Sequence, residues 1–272
     1  VRYRGPITSD QWDPARYEKF GELRARPFWD LADLIEGDDP ARPIRSMVDL
    51  GCGTGELTRR LADRLAVERC VGIDLSAAML ERTTAFADDR VTFVEGDAGR
   101  WSEAGAHDLV VANASLQWIP DHPAVLARWA GSLRPGGQLA VQVPANHDHP
   151  SHLASVTVAE REPFLSAMGG ASPPDPVAAN VLSPEAYAAL LYERGFPDPH
   201  VRLQVYPQPL ACSRDVVEWV RGTSLTRFFK LLPDDLHDEF VLAYTDELLA
   251  RIGDRRPYFY GFKRILMFGR LG

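Results

Sequence analysis

A short apolar run, Ser46-Met47-Val48-Asp49-Leu50, breaks into Gly51-Cys52-Gly53-Thr54-Gly55. Helical periodicity follows at once, with Leu57, Leu61 and Leu65 on one face. A strand that ends in alternate glycines and opens a helix leaves few folds available. In an open α/β sheet such a turn lies at the carboxyl ends of the strands, where ligands bind. Glycine there lets a ligand come close to the backbone. A dinucleotide-binding turn has this outline, but its spacing is G-x-G-x-x-G and its pyrophosphate sits on the helix N-terminus. Here the position three after Gly53 is Glu56, not glycine, and its carboxylate lies in the first helical turn. Asp49 adds a second negative charge beside the loop. Both oppose a pyrophosphate, and a cationic ligand without phosphate suits the turn better.

The rest of the chain fits a sheet around that turn. Apolar strand candidates at 70–74, 91–95, 109–112 and 138–143 alternate with helical segments, one capped by Ser76 and reaching about 86, another at 123–133. Short apolar strands alternating with helices indicate a mostly parallel sheet covered by helices on both faces. Beyond Pro144 a helix is expected at 152–168, a helix capped by Ser183 at 183–194, and a strand at 200–206. Helical segments follow at 214–220, 225–232 and 233–252, before a last strand at 263–268. The long gap between the last two strands exceeds a usual connection and reads as a helical cap. The expected organisation is an N-terminal helical lid at 1–44, a sheet domain at 45–206 and 262–272, and a cap insertion at 207–261.

S-adenosyl-L-methionine (SAM) carries an ammonium and a sulfonium and no phosphate, which is what the turn asks for. Asp49-x-Gly51-x-Gly53-x-Gly55 resembles the first motif of the Rossmann-like SAM-dependent methyltransferases. The resemblance implies an α/β fold with a seven-stranded, mostly parallel sheet. It also implies that Asp49 and the Gly51 backbone face the methionine end of SAM. Asp74 closes the next strand, where an acidic side chain accepts ribose hydroxyls. Beside it, Leu75 and Met79 would flank the adenine. Asp97 resembles the family's acceptor for the adenine amino group, with the Ala98 backbone next to it, and Asn113, just after the fourth strand, would bind the cofactor.

More distant stretches narrow the resemblance. Ala112-Asn113-Ala114-Ser115-Leu116-Gln117-Trp118-Ile119-Pro120-Asp121-His122 is similar to the corresponding stretch of the trans-aconitate 2-methyltransferase family. So are Trp12-Asp13-Pro14-x-x-Tyr17-x-x-Phe20, Glu218-Trp219-Val220 and Phe262-Lys263-Arg264-Ile265-Leu266-Met267. The chain departs from the family's Pro-rich turn after Gly222-x-x-Leu225, reading Thr226-Arg227-Phe228 instead. The resemblance implies methyl esterification of a carboxylate of trans-aconitate or a similar small polycarboxylate. Trp12 and Tyr17 would form a lid over SAM, and Trp118 and Gln117 would border the acceptor.

A carboxylate is ionised at neutral pH, with an ordinary pKa of about 4, so no acid or base is expected among the catalytic residues. A hydroxyl acceptor on some other metabolite would need a base near the methyl group, and His122 would then be the candidate. A protein that keeps the SAM pocket without turnover is a third reading. A polyanionic acceptor requires cations, and arginine suits planar, bidentate binding. Arg227 and Arg264 lead this group, with Lys230, Arg221, Lys263, Arg24 and Arg26 behind them.

The charge balance, 30 Lys+Arg against 38 Asp+Glu for a net −8, argues against nucleic-acid binding. It leaves room for a small anionic substrate in a locally basic pocket. Cys52, Cys70 and Cys212 are too few and scattered for a disulfide framework or a zinc site, and no metal is expected. No run approaches the length needed to span a bilayer, and a cytoplasmic location is expected. The sequence leaves the oligomeric state open.

Overall fold

The computed structural model describes residues 25–37 and 41–272. Seven strands form one sheet: β1 (Ser46–Leu50), β2 (Arg69–Asp74), β3 (Val91–Glu95), β4 (His107–Asn113), β5 (Leu133–Pro144), β6 (His200–Leu210) and β7 (Tyr258–Arg270). Their order is β3-β2-β1-β4-β5-β7-β6. β1 pairs in parallel with β2 and β4, β2 with β3, and β4 with β5. β7 runs antiparallel to β5. This is the mostly parallel, seven-stranded α/β sheet that the sequence led us to expect. The strand order reverses direction between β1 and β4. In open α/β sheets ligands bind at such a switch point, outside the carboxyl ends of the strands, and the glycine turn lies there.

The described residues divide into two compact units. The first holds everything described up to Ala145, with Pro176–Tyr206 and Lys263–Gly272. Residues 25–32 form helix α1, followed by α2 (Glu56–Arg64), α3 (Ala77–Leu80) and α4 (His122–Gly131). β1 is buried along its whole length. Val48 and Leu50 join a core with Leu126 and Trp129 of α4, Val110 of β4, Val141 of β5 and Met267 of β7. Side chains alternate along a strand, so Met47 and Asp49 face the other side of the sheet. There Thr58 of α2 donates a hydrogen bond to Asp49 Oδ2 at 2.5 Å. The core therefore fixes the face on which Asp49 sits.

The second unit gathers Asn146–Asp175 with Pro207–Phe262. It contains α5 (Pro150–Ala159), α6 (Phe164–Ala167), α9 (Asp215–Arg221), α10 (Thr226–Phe229) and α11 (His237–Ile252). The first unit also contains α7 (Pro176–Asn180) and α8 (Pro184–Glu193). On α11, the buried Phe240, Tyr244, Leu248 and Ile252 recur every fourth residue and form one apolar stripe. The Tyr244 hydroxyl donates to the Ser151 carbonyl of α5 at 3.1 Å, and Phe240 meets Phe164 edge-on with ring centroids 5.1 Å apart.

Three local expectations need correction. The helix expected at 152–168 is two helices, α5 and α6, with Pro163 between them. Proline has no N–H to give a helical ladder, and its ring clashes with the preceding turn. Leu133 starts β5 rather than ending α4. β6 and β7 both extend beyond the runs read from sequence, through Pro207 and Gly261 respectively. β6 is an edge strand, where a missing N–H can be tolerated.

Candidate active site

The turn after β1 is locked from below. Gly51 and Cys52 both donate backbone N–H groups to the Ile73 carbonyl of β2, at 2.7 and 3.0 Å. Gly51 has φ +85°, and a Cβ built there would lie 2.2 Å from Cβ of Ser115. The Ser115 hydroxyl in turn donates to the Leu50 carbonyl at 2.5 Å. The loops after β1 and β4 thus meet directly at the switch point, and only glycine fits between them. Gly53 differs. Its φ is +57°, its N–H donates to Asp74 Oδ2 at 2.8 Å, and a Cβ there would meet nothing within 4 Å. This face of the turn is open to a ligand. Gly55 caps α2 without a side-chain hydrogen bond.

Asp49 is 3% exposed. One oxygen takes the Thr58 hydrogen bond, while Oδ1 is buried with no hydrogen-bond partner among the described residues. Burial pushes its pKa up to about 6; the Thr58 bond opposes that and the charge of Asp74 adds to it. A buried carboxylate with an unused oxygen is an acceptor for a cation or a strong donor. Asp74 lies at the end of the neighbouring strand, with Oδ2 on Gly53 and Oδ1 on the Ser76 N–H at 2.9 Å. Each carboxylate oxygen accepts more than one hydrogen bond, so Asp74 retains capacity for ribose hydroxyls.

Leu75 and Met79, just past Asp74, are large apolar side chains that remain 69% and 40% exposed. Exposed apolar side chains next to Asp74 are a surface on which a flat apolar group can pack. β3 pairs with β2, so Asp97 follows on the same edge; its Oδ1 accepts from the Gly99 N–H at 2.8 Å. The Ala98 carbonyl accepts from Trp129 Nε1 at 3.0 Å, which anchors this loop to the core. Three carboxylates, Asp49, Asp74 and Asp97, end or follow three adjacent strands. That donor set fits the ammonium, ribose and adenine of SAM and repels a pyrophosphate.

After β4, the Asn113 side-chain oxygen accepts from Gln142 Nε2 of β5 at 2.9 Å. Gln117 is buried; its Nε2 donates to the Ala114 carbonyl and its own carbonyl accepts from Asn180 Nδ2 at 2.9 Å. Its Oε1 has no hydrogen-bond partner among the described residues. Trp118, the next residue, is 64% exposed. Backbone tension accompanies this segment, since Ala114 and Asp121 both take positive φ, +52° and +57°. Sequence reasoning missed Thr58, Ser115 and Gln142. Ser115 and Gln142 reach the motif residues only through strands that lie side by side, and Thr58 only through the packing of α2 on β1, so no local pattern announces them.

His122 is not a base in waiting. It is 1% exposed, Nε2 donates to the Leu116 carbonyl at 2.9 Å, and Nδ1 accepts from the Tyr187 hydroxyl at 2.6 Å. Burial holds its pKa below the ordinary value, against hydrogen bonds to Leu116 and Ile119 and the charge of Asp121. Both nitrogens are spent on structure, so a base-requiring acceptor loses its candidate.

Of the proposed acceptor cations, Arg264 lies on β7 in the first unit and Arg227 on α10 in the second. Arg26 and Lys230 are exposed, while Arg221 and Lys263 are partly buried. Trp12, Tyr17 and Arg24 fall outside the described residues. His149 accepts from the Ser151 N–H at the start of α5, and His152 contacts Asp175. The described residues hold no group of three or more side chains suited to a metal, and none of their helices is long and apolar enough to cross a membrane.

A sheet in this order, with a glycine turn and three carboxylates along the carboxyl ends of β1, β2 and β3, defines a SAM-dependent methyltransferase. Residues 47–137 match the family described as "Methyltransferase domain". The chain is 42% identical to the trans-aconitate 2-methyltransferase of Deinococcus radiodurans, over 94% of this chain and 96% of that protein. It is 39% identical to the protein of the same name from Streptomyces coelicolor, over 90% of this chain and 81% of that one. Among solved structures, the YcgJ protein of Bacillus subtilis shares the fold at a TM-score of 0.58 and 16% identity, covering 90% of this chain and 98% of that one. The chain belongs to the trans-aconitate 2-methyltransferase family.

Proposed function

We propose that the chain transfers the methyl group of SAM to a carboxylate oxygen of trans-aconitate, and that the site residues divide as follows. Asp49 holds the ammonium of the methionine end, with the Gly51 and Gly53 backbone beneath it. Asp74 takes the ribose hydroxyls, Leu75 and Met79 cover the adenine, and Asp97 with the Ala98 backbone holds its polar edge. Asn113 borders the cofactor, oriented by Gln142. Gln117 and Trp118 position the acceptor, with Arg227 and Arg264 as its cations. The observation that carries this reading is the buried, half-used carboxylate of Asp49 at the switch point.

Bound SAM supplies an electrophilic methyl carbon on a sulfonium, and its transfer to a carboxylate leaves a methyl ester and S-adenosylhomocysteine. The acceptor arrives ionised, so the protein has no proton to remove. Its work is alignment and exclusion of water. An anion meets a cation in this reaction, so charge falls toward the transition state. The indole of Trp118 offers an apolar wall of the kind that favours such a step.

Incubating the protein with methyl-labelled SAM and trans-aconitate tests the proposal. Base-labile label in the small-molecule fraction is the expected result. Label in a base-stable product would move the acceptor to a hydroxyl or carbon. Tight SAM binding with no transfer to any polycarboxylate would make the chain a SAM-binding protein without this activity.

A further inference from the structure

Arg227, on α10, is a mostly buried cation whose donors are only partly used. Its side chain is 12% exposed, and Nη1 lies 2.8 Å from Asp175 Oδ2. Nε and Nη2 are buried with no hydrogen-bond partner among the described residues. These two nitrogens lie on one edge of the planar guanidinium and aim their N–H bonds side by side. That edge is the fork that matches the two oxygens of a carboxylate. The guanidinium is also held against Phe228, with Cζ 4.6 Å from the ring centroid. A buried charged donor left unpaired is expensive, so an edge kept in this state calls for an anion.

The far side of the guanidinium is fixed. Asp175 is 9% exposed, and the oxygen that meets Arg227 also lies 3.2 Å from Nδ1 of His152 on α5. Burial pushes Asp175 upward, but the His152 bond and the Arg227 charge together hold it well below the ordinary carboxylate range. It therefore stays anionic and grips Arg227 at working pH. Ser172 and Ser224, three residues before Asp175 and Arg227, each keep a buried hydroxyl with no hydrogen-bond partner among the described residues. Both are donors of the kind a carboxylate accepts, on the segments that carry the pair.

We propose that the free edge of Arg227 is the subsite for a non-reacting carboxylate of the acceptor, and that Asp175 is the positioning residue that sets the guanidinium plane for it. The inference rests on reading the acceptor as a polycarboxylate. It explains how a chain of net charge −8 selects a small polyanion: the selecting cation is buried and oriented, not spread over the surface.

Steady-state kinetics of the full chain and of Arg227→Lys, Arg227→Ala and Asp175→Asn test this, with melting temperatures measured alongside. Arg227→Lys keeps the charge and loses the fork. It should raise KM for trans-aconitate roughly 10- to 100-fold while KM for SAM stays within about twofold. Added guanidinium ion should restore part of the activity of Arg227→Ala. Asp175→Asn should raise KM for trans-aconitate with kcat held within about threefold. An unchanged KM for trans-aconitate in Arg227→Lys overturns the subsite. Equal rises in both KM values, with a lowered melting temperature and no rescue, make Arg227 a structural residue and also overturn it. A wild-type protein that methylates no polycarboxylate defeats the acceptor reading instead. In that event trans-aconitate binding decides the subsite: it stands if the acid raises the melting temperature of wild type but not of Arg227→Lys, and falls if both respond alike.

Discussion

At the scale of single residues, the site and the stability of the fold pull against each other. Asp49 titrates at about 6 in the folded protein, against about 4 for an ordinary aspartate. The folded state therefore holds this proton more tightly than the unfolded chain. The resulting stabilisation is complete below about pH 4 and is lost as pH rises through about 6. Above that, the ionised Asp49 costs the ligand-free protein up to roughly 3 kcal/mol. Asp49→Asn should then stabilise the ligand-free protein by roughly 1–3 kcal/mol at pH 7, read from urea unfolding. The same change should abolish SAM binding by calorimetry. In the wild type, SAM affinity should weaken about tenfold per pH unit below pH 6, because a cation binds only the ionised form. A variant that loses stability while retaining SAM affinity would remove Asp49 from its proposed role.

The glycines separate in the same way. Gly51→Ala drives a Cβ into Ser115 and should cost about 2 kcal/mol or more as well as SAM binding. Gly53→Ala meets open space at φ +57°, so only backbone strain of about 1–2 kcal/mol is expected. Its loss of SAM affinity should exceed what its stability change explains. Both glycines stood out in the sequence, yet their different reasons did not, because the Ser115 contact depends on β1 and β4 lying side by side.

At the scale of elements, the legible parts were those with local causes. α2, α4 and α8 carry their periodicity in sequence, and α8 its cap as well: Ser183 accepts the Ala186 N–H, as its position implied. The strands of the parallel core announced themselves as apolar runs. What stayed hidden depended on partners. β6 continues past Pro207 because it is an edge strand, and the helix read through 152–168 ends early because Pro163 outweighs its apolar spacing. His122 illustrates the same limit. In the sequence it stood as a base only for a hydroxyl acceptor; in the structure it ties the start of α4 to Tyr187 of α8, whose hydroxyl also accepts the Leu182 N–H at 3.2 Å. Tyr187→Phe should therefore destabilise the chain by about 1–3 kcal/mol. At temperatures where the variant stays folded, kcat should remain within about twofold of wild type with the pH–rate profile unmoved. A large loss of kcat without a fall in melting temperature would instead place His122 and Tyr187 in the chemistry.

For the whole molecule, the sign of the charge gives the two substrates opposite electrostatics. The chain carries −8; SAM is a net cation and trans-aconitate a trianion at neutral pH. Long-range steering acts over a Debye length, about 30 Å at 0.01 M salt and about 8 Å at 0.15 M. At low salt the protein's field draws SAM in and pushes the acceptor away. The fork at Arg227 is buried and close-range, so salt screens it far less than it screens the surface field. Raising ionic strength from about 0.01 to about 0.15 M should consequently lower kcat/KM for SAM and raise it for trans-aconitate. Initial rates at limiting concentration of each substrate read the two slopes separately. Opposite signs mean that the acceptor is selected by a few local cations against an unfavourable global field. A fall in both would mean instead that the acceptor meets a broad basic surface, and the buried pairing of Arg227 with Asp175 would then be too local to account for its recognition.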